Sequence, residues 1–295
     1  MLKQIAKAIK DPGLFQTWLM AKFASSLCKN KLINNCKTAG IRKPCFLLSF
    51  DCDLDSDSAV VTELHAQFAS KGICPLYAVP GEILISSASV YQDLAREGAT
   101  FINHGFKRHA SPNAESPSRI GSYFYDELLP AEWQKDIKLG HEAIADIIGE
   151  PPTSFRTPHF GSFDSPGNLR TLWEFLAKNN YRFSSSTRPL FGLRYGPVFK
   201  RAGIMEFPLS GCLSQPEQIL DSWGLLNHTP SSQGRLLTEL QNYLSLMRSN
   251  HPLLLNIYMD PGDIVDKAEI LKMLESFAPF SVRNFSEITH HNRGR

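Results

Sequence analysis

The sequence predicts an α/β fold of seven or eight short, mostly parallel strands alternating with helices, as an open sheet or a barrel. Three observations predict it. Apolar runs of strand length recur between amphipathic segments of helix length from residue 45 onward, cap and turn residues punctuate them, and polar clusters follow directly on several of the runs. At 295 residues with 42% hydrophobic and 20% charged side chains, the chain can bury a large core, which excludes disordered, collagen-like and disulfide-stapled classes. No repeat, low-complexity tract or Pro/Gly/Ser linker divides residues 44–285, so one domain (44–295) is expected behind an N-terminal helical extension (1–43).

Residues 45–50 (CFLLSF) are a continuous apolar run of buried-strand length. Ser56 or Ser58 can cap the following helix, which carries Val60, Val61, Leu64 and Phe68. Residues 73–79 read as the next strand, 89–97 as a helix and 100–103 as extended. A long helix is expected over 130–148, with Trp133, Ile137, Ile144 and Ile148 inward and Gly149 as its stop, before Pro151 and Pro152 break the chain. Further strands are expected at 154–156, 181–185, 204–207, 253–258 and 280–282, with helices over 166–178, 234–248 and 264–277. In such folds the chemistry sits at the C-terminal ends of the strands.

Charge narrows the partners. The 31 basic and 29 acidic side chains nearly balance, so the excess needed to hold a phosphate backbone is missing and nucleic acid is not an expected partner. The six cysteines form neither a CxxC pair nor a regular framework and read as reduced thiols. No apolar run approaches the roughly 18 residues of a spanning helix, and no signal-peptide pattern is present; a cytoplasmic location is the expectation. Residues 1–43 break the balance, with nine basic side chains against Asp11 alone and apolar residues near helical spacing from Leu2 to Leu27. That pattern suits a peripheral contact with a membrane surface or a helix packed on the domain's own flank.

Asp51, Asp53, Asp55 and Asp57 follow directly on the first strand, where like charges cost free energy unless a cation or protons neutralise them. A calcium loop of the EF-hand type does not fit, because its glycine position is Ser56 and its glutamate position Thr62. An aspartate-nucleophile phosphatase of the haloacid dehalogenase type, with Asp51 as nucleophile, is an alternative. His104 and His109 follow the 100–103 strand, and two histidines with an aspartate can ligate a catalytic metal while leaving positions for water and substrate. Arg156-Thr157-Pro158-His159-Phe160-Gly161 again follows a strand; its arginine can orient a carboxylate, and its turn can aim a backbone N–H at an oxyanion.

In that order the three motifs resemble those of the polysaccharide deacetylases of the NodB-homology type, metal-dependent hydrolases of N-acetyl groups on amino sugars. The resemblance covers residues 45–285. Its Asp-x-Asp subgroup, similar to deacetylases of surface-glycan and lipopolysaccharide biosynthesis, matches Phe50-Asp51-Cys52-Asp53. The resemblance implies a distorted (β/α) barrel with one divalent metal in its mouth, zinc by default and cobalt, manganese or iron otherwise. Asp53, His104 and His109 would be the ligands, Asp51 the general base, Arg156 its support, and the N–H near Phe160 an oxyanion donor. Ser185 and Arg188 fall where related deacylases line the pocket, and Trp223 is the candidate sugar platform, whereas Trp133 and Trp173 read as core.

Three departures stand out against the family pattern. The histidines are five residues apart rather than four, so a bulged loop must bring His109 back. The third motif is one residue longer, which places His159 in the mouth. Asp260-Pro261 stands where His-Pro is usual, so Asp260 or His159 must serve as the acid. The implied substrate is an N-acetyl or N-formyl amino sugar of a polysaccharide or lipopolysaccharide precursor such as O-antigen, nucleotide- or undecaprenyl-linked, met at the inner leaflet of the plasma membrane. The alternatives are the phosphatase and a deacetylase-like sugar-binding protein without catalysis.

Overall fold

The computed structural model describes residues 11–112, 119–226 and 232–290. The first apolar run becomes β1 (Cys45–Asp51), buried at every position. A strand covered on both faces needs apolar residues at successive positions, which is why it reads as an unbroken run. It lies between two parallel neighbours, β10 (Leu254–Met259) and β2 (Leu76–Val79). Beyond β2 the sheet continues in parallel through β3 (Thr100–Asn103), β6 (Ser154–Phe155), β7 (Phe183–Ser184) and β9 (Ile204–Glu206). Antiparallel β8 (Phe199–Arg201) ends it, giving the order β10-β1-β2-β3-β6-β7-β9-β8.

The sheet curls until the chain leaving β9 meets β10. Ser210 N donates to Asn256 O (2.8 Å), and Asn256 Nδ2 donates to Phe207 O (3.0 Å) and Pro208 O (3.1 Å). The result is the expected distorted (β/α) barrel, mostly parallel and bridged at its seam by side-chain and main-chain hydrogen bonds rather than by a full ladder.

Helices cover the outside: α1 (Pro12–Phe23), α2 (Ser25–Thr38), α3 (Asp55–Ala69), α4 (Gly81–Ser86), α5 (Ala88–Arg96), α6 (Pro130–Ile148), α7 (Pro166–Lys178), α8 (Pro189–Tyr195), α9 (Ser222–Leu226), α10 (Ser232–Arg248), α11 (Pro261–Ile264), α12 (Ala268–Glu275) and α13 (Phe285–His290). A separate two-stranded hairpin, β4 (Ala110–Pro112) and β5 (Arg119–Gly121), stands beside the main sheet. In α6, Trp133, Ile137 and Ile144 are buried as expected, and Gly149 closes the helix at φ 87°, a conformation that favours glycine.

Several expectations change. Neither Ser56 nor Ser58 caps α3; Asp57 reaches back instead, its Oδ2 accepting from Leu54 N (2.9 Å), while Ser58 Oγ pairs with Tyr91 Oη (2.8 Å). The strand expected at 280–282 is reduced to a bridge between Phe46 and Ser281, because residues 278–280 wind into a 3₁₀ turn. The helix expected over 264–277 is confined to α12 (Ala268–Glu275), and α11 ends at Ile264 before it. The β8–β9 hairpin escaped notice because its turn, Ala202-Gly203 with both φ values positive, lacks the usual Asn or Asp signal.

The N-terminal segment packs on the barrel. Asn35 Nδ2 donates to Gly192 O (3.1 Å) and Leu193 O (2.9 Å) of α8, and Ile33, Cys36 and Ile41 join the core cluster that contains β1. Residues 1–10 lie outside the described residues. All six cysteines are unpaired. Among the described residues no helix is long and apolar enough to cross a membrane.

Phe46, fully buried in β1, stacks on Phe277 with ring centroids 4.7 Å apart. Phe46→Ala should therefore cost about 3–5 kcal/mol, read from the urea midpoint at unchanged slope.

Candidate active site

Parallel strands deliver side chains to one end of a sheet, and four do so here. β1 ends at Asp51, and His104, Arg156 and Asp260 follow β3, β6 and β10 directly. A cavity of about 310 Å³ opens at that end, lined by Asp51, Asp53, His104, His159, Phe160, Asp260 and further by Asp221, Trp223 and Tyr258.

The acidic run divides by function. Asp55 is exposed and pairs with Arg108 (2.8 and 2.9 Å), and Asp57 turns away to the start of α3, so only Asp51 and Asp53 line the cavity. Asp51 Oδ1 is hydrogen-bonded by Arg156 Nη1, an arginine with no exposed surface that lies under the rings of Phe160 and Tyr258. Burial pushes the Asp51 carboxyl up to about 7, with Arg156 pulling against it and Asp53 adding to it.

Asp53, His104 and His109 offer one ligand atom each within 4.8 Å of one another. His109 Nε2 is 3.0 Å and His104 Nε2 3.5 Å from Asp53 Oδ1. On the far side of each ring, His104 Nδ1 lies 2.9 Å from Arg156 O and His109 Nδ1 lies 3.3 Å from Lys107 O. Those carbonyls take the Nδ1 protons and leave both Nε2 lone pairs facing a carboxylate oxygen, an arrangement that needs a shared proton or a cation. Burial first, then His109, drive the His104 pKa down to about 3, so it is neutral as a ligand must be. Burial alone would raise Asp53 and lower His109, but their mutual attraction outweighs it and each moves the other way. Two imidazoles and a carboxylate with space beyond them fit a divalent metal, zinc among them.

The five-residue histidine spacing is accommodated by a loop that α6 holds. Asp136 Oδ2 accepts from Phe106 N (3.0 Å) and from Tyr125 Oη (2.7 Å), and its Oδ1 accepts from Lys107 N (3.0 Å). Asn103 Oδ1 accepts from Gly105 N (2.9 Å) while its Nδ2 donates to Ile137 O (2.8 Å). Gly105 sits at φ 80°, where a Cβ would run into the Asp136 carboxylate and Tyr125 Oη. The loop absorbs the extra residue and sets the two rings edge to face, centroids 4.5 Å apart.

Both candidate acids reach the cavity. Asp260 is buried, its Oδ2 accepting from Ser222 Oγ (2.7 Å) and its Oδ1 3.1 Å from Arg119 Nη1. Burial raises its pKa well above the usual carboxylate range against the pull of Arg119. His159 has φ 55°, packs in a tilted arrangement against Phe124 with ring centroids 4.3 Å apart and places Nε2 2.7 Å from Ser122 O, so that nitrogen donates away from the acidic pair.

No protein-family model matches the sequence, and no curated protein matches it. Solved structures do match. One, a protein from Mycobacterium smegmatis assigned to the polysaccharide deacetylases, is 17% identical, with a TM-score of 0.54 over 85% of this chain and 91% of that one. Another so assigned, from Pseudomonas aeruginosa PAO1, is 10% identical, with a TM-score of 0.52 over 80% of this chain and 72% of that one. The chain has the polysaccharide-deacetylase fold.

On that fold, the structure brings Asp51, Asp53, His104, His159, Phe160, Trp223 and Asp260 to one cavity, with Arg156 and His109 directly behind it. It does not bring Ser185 or Arg188 to the lining. Ser185 is fully buried behind the site, where Arg156 Nη2 (3.4 Å) and Asn256 Nδ2 (3.3 Å) donate to its Oγ. Arg188 pairs with Asp164 (2.6 Å) and lies against Gly161.

Sequence reasoning missed Asp221 and Arg119. Asp221 lines the cavity with its carboxyl raised to about 6 by burial and its Oδ2 accepting from Tyr258 Oη (2.7 Å). Its signal was adjacency to Trp223. Arg119 binds Asp57 through both nitrogens (2.9 Å each) before it reaches Asp260, a link between distant segments that no local pattern announces.

After zinc repletion and dialysis, elemental analysis of the purified protein should find about one equivalent, lost in His104→Ala and Asp53→Asn. Gly105→Ala should weaken metal affinity about 10–100-fold by displacing the loop that carries His109.

Proposed function

We propose that the protein is a metal-dependent N-deacetylase of the NodB-homology family that removes an acetyl or formyl group from an amino sugar of a cell-surface polysaccharide or lipopolysaccharide precursor. The observation that carries this reading is the convergence on one cavity of an arginine-held aspartate, an Asp-His-His group and a buried third carboxyl. A divalent ion at Asp53, His104 and His109, zinc by default, supplies Lewis acidity toward an amide carbonyl and toward water.

The chain's own residues do the rest. Arg156 orients Asp51, which accepts a proton from the attacking water; its raised pKa places it within range of that exchange near neutrality. Phe160 lines the cavity, and the backbone N–H near it is the donor assigned to the developing oxyanion. Asp260, kept protonated by burial and held by Ser222, gives its proton to the departing amine. His159 is the second choice for that role, because its Nε2–H is committed to Ser122 O. Trp223 offers an aromatic face to the sugar ring. The substrate is carried on a nucleotide or on undecaprenyl, and the enzyme works in the cytoplasm at the inner leaflet, with the exposed part of α1 and α2 toward the membrane.

A second reading, a sugar-binding protein without catalysis, is favoured by one observation. Asp260 stands where the family has histidine and is tied to Arg119, which favours its ionised form. The phosphatase reading fares worse, since it gives no role to the two buried histidines grouped with Asp53.

Acetate release from a panel of N-acetylated amino sugars, free, nucleotide-linked and undecaprenyl-linked, tests the proposal. The zinc-loaded wild type should release acetate from at least one, and Asp51→Asn should lower the rate about 10²–10⁴-fold. Asp260→Asn should fall by a similar factor; full activity in that variant would move the acid to His159. Sugar binding with no acetate released from any donor would establish the binding-protein reading instead.

A further inference from the structure

Helix α1 is apolar nearly all round, yet the protein covers only part of it. Thr17 and Ala21 are buried and Leu14 packs against a core cluster, so residues at i, i+3 and i+7 make the face that meets the barrel. Phe15, Trp18, Leu19, Lys22 and Phe23 share an adjoining face by the same periodicity. Phe23 is 79% exposed and Leu19 37%, while Phe15 and Trp18 are half-buried and stacked on each other with centroids 5.9 Å apart. Across the corner at Ala24, Leu27 of α2 is 57% exposed. A helix apolar all round belongs inside a protein or against lipid, and the protein supplies only one of the two covers here.

Charge identifies the other cover. Between Pro12 and Lys43 the chain carries Lys22, Lys29, Lys31, Lys37, Arg42 and Lys43 and no acidic residue. Only Lys22 has an acidic partner among the described residues, Glu217 at 3.4 Å. Pairing this face with a second copy would bring two lysine-bearing surfaces together without a carboxylate on either pair of helices. An anionic lipid surface meets both requirements: apolar depth for the aromatic and leucine side chains, and negative headgroups for the lysines.

We propose that the α1–α2 corner is a docking surface for an anionic bilayer, with Phe15, Trp18, Leu19, Phe23 and Leu27 seated at the headgroup–acyl boundary and the neighbouring lysines on the headgroups. It deepens the inner-leaflet location given above by naming the residues that make the contact, and it does not depend on deacetylation. It also differs from a spanning anchor, since binding should be reversible and salt-sensitive.

The test is cosedimentation of the full-length protein with vesicles of phosphatidylcholine alone or mixed with phosphatidylglycerol. The wild type should partition onto the anionic vesicles, and binding should drop about tenfold or more in the Phe23→Ser/Leu27→Ser double variant and fall in high salt. Ile85→Ser, which removes an exposed apolar side chain elsewhere, should bind as wild type. Equal binding by the double variant and the wild type would overturn the proposal, as would wild-type binding to neither vesicle. Light scattering that finds a wild-type dimer and a monomeric double variant, without vesicle binding, would assign the face to self-association and overturn it too. Acetate release from a water-soluble sugar, measured beside these, should not change in the double variant; its complete absence would count against the deacetylase reading alone.

Discussion

Placing two carboxylates at the end of a strand hidden on both faces is the constraint from which the rest of the site follows. Asp51 and Asp53 leave β1 into a region with almost no solvent, 3% and 8% exposed. Ionised carboxylates are tolerated there only with partners. Arg156 answers Asp51 from β6, and His104 and His109 face Asp53 from the loop after β3. The parallel register of β1, β2, β3 and β6 puts those elements side by side, so the topology of the sheet and the electrostatics of the site are one problem with one solution.

The outer layer of the site is as specific as the inner one. Asp136 and Asn103 spend their polar atoms on the backbone of residues 105–107, which turns an unfavourable spacing into a usable loop. Glu206 does comparable work behind Arg156. Its Oε1 accepts from Ser186 N, Thr187 N and Thr187 Oγ1, fixing the turn from which Ser185 supports the arginine and Ser186 Oγ accepts from Thr157 N. Ser185 thus touches Arg156 and Asn256 rather than the cavity.

A second charged knot lies beside the first. Arg119 grips Asp57 and reaches Asp260, and Asp57 also accepts from Gly262 N (3.0 Å), so the strand-end turn after β10 and the start of α3 are tied through one guanidinium. Asp263 Oδ1 lies 3.5 Å from the same guanidinium. Burial raises the Asp260 pKa well above the usual carboxylate range against the pull of Arg119, and the neighbouring carboxylates add to it.

The sequence by itself determined the alternation of strands and helices, the mostly parallel sheet, and the polar residues that stand directly after its strands. Each is written locally: CFLLSF is apolar because both its faces are covered, and Asp51, His104 and Arg156 each stand directly after a run of that kind. Only the tertiary structure decided which polar residues meet. Asp55 and Asp57 look like Asp53 in sequence but face outward or toward Arg119; Ser185 stands at a strand end but points behind the site; Asp221 and Arg119 arrive from segments far apart in the chain. The same holds for α1, whose pattern suits burial or a surface contact equally until packing shows which face the barrel covers. Periodicity records whether a side chain is covered, whereas a hydrogen bond or ion pair depends on the distance between segments, which the fold alone sets.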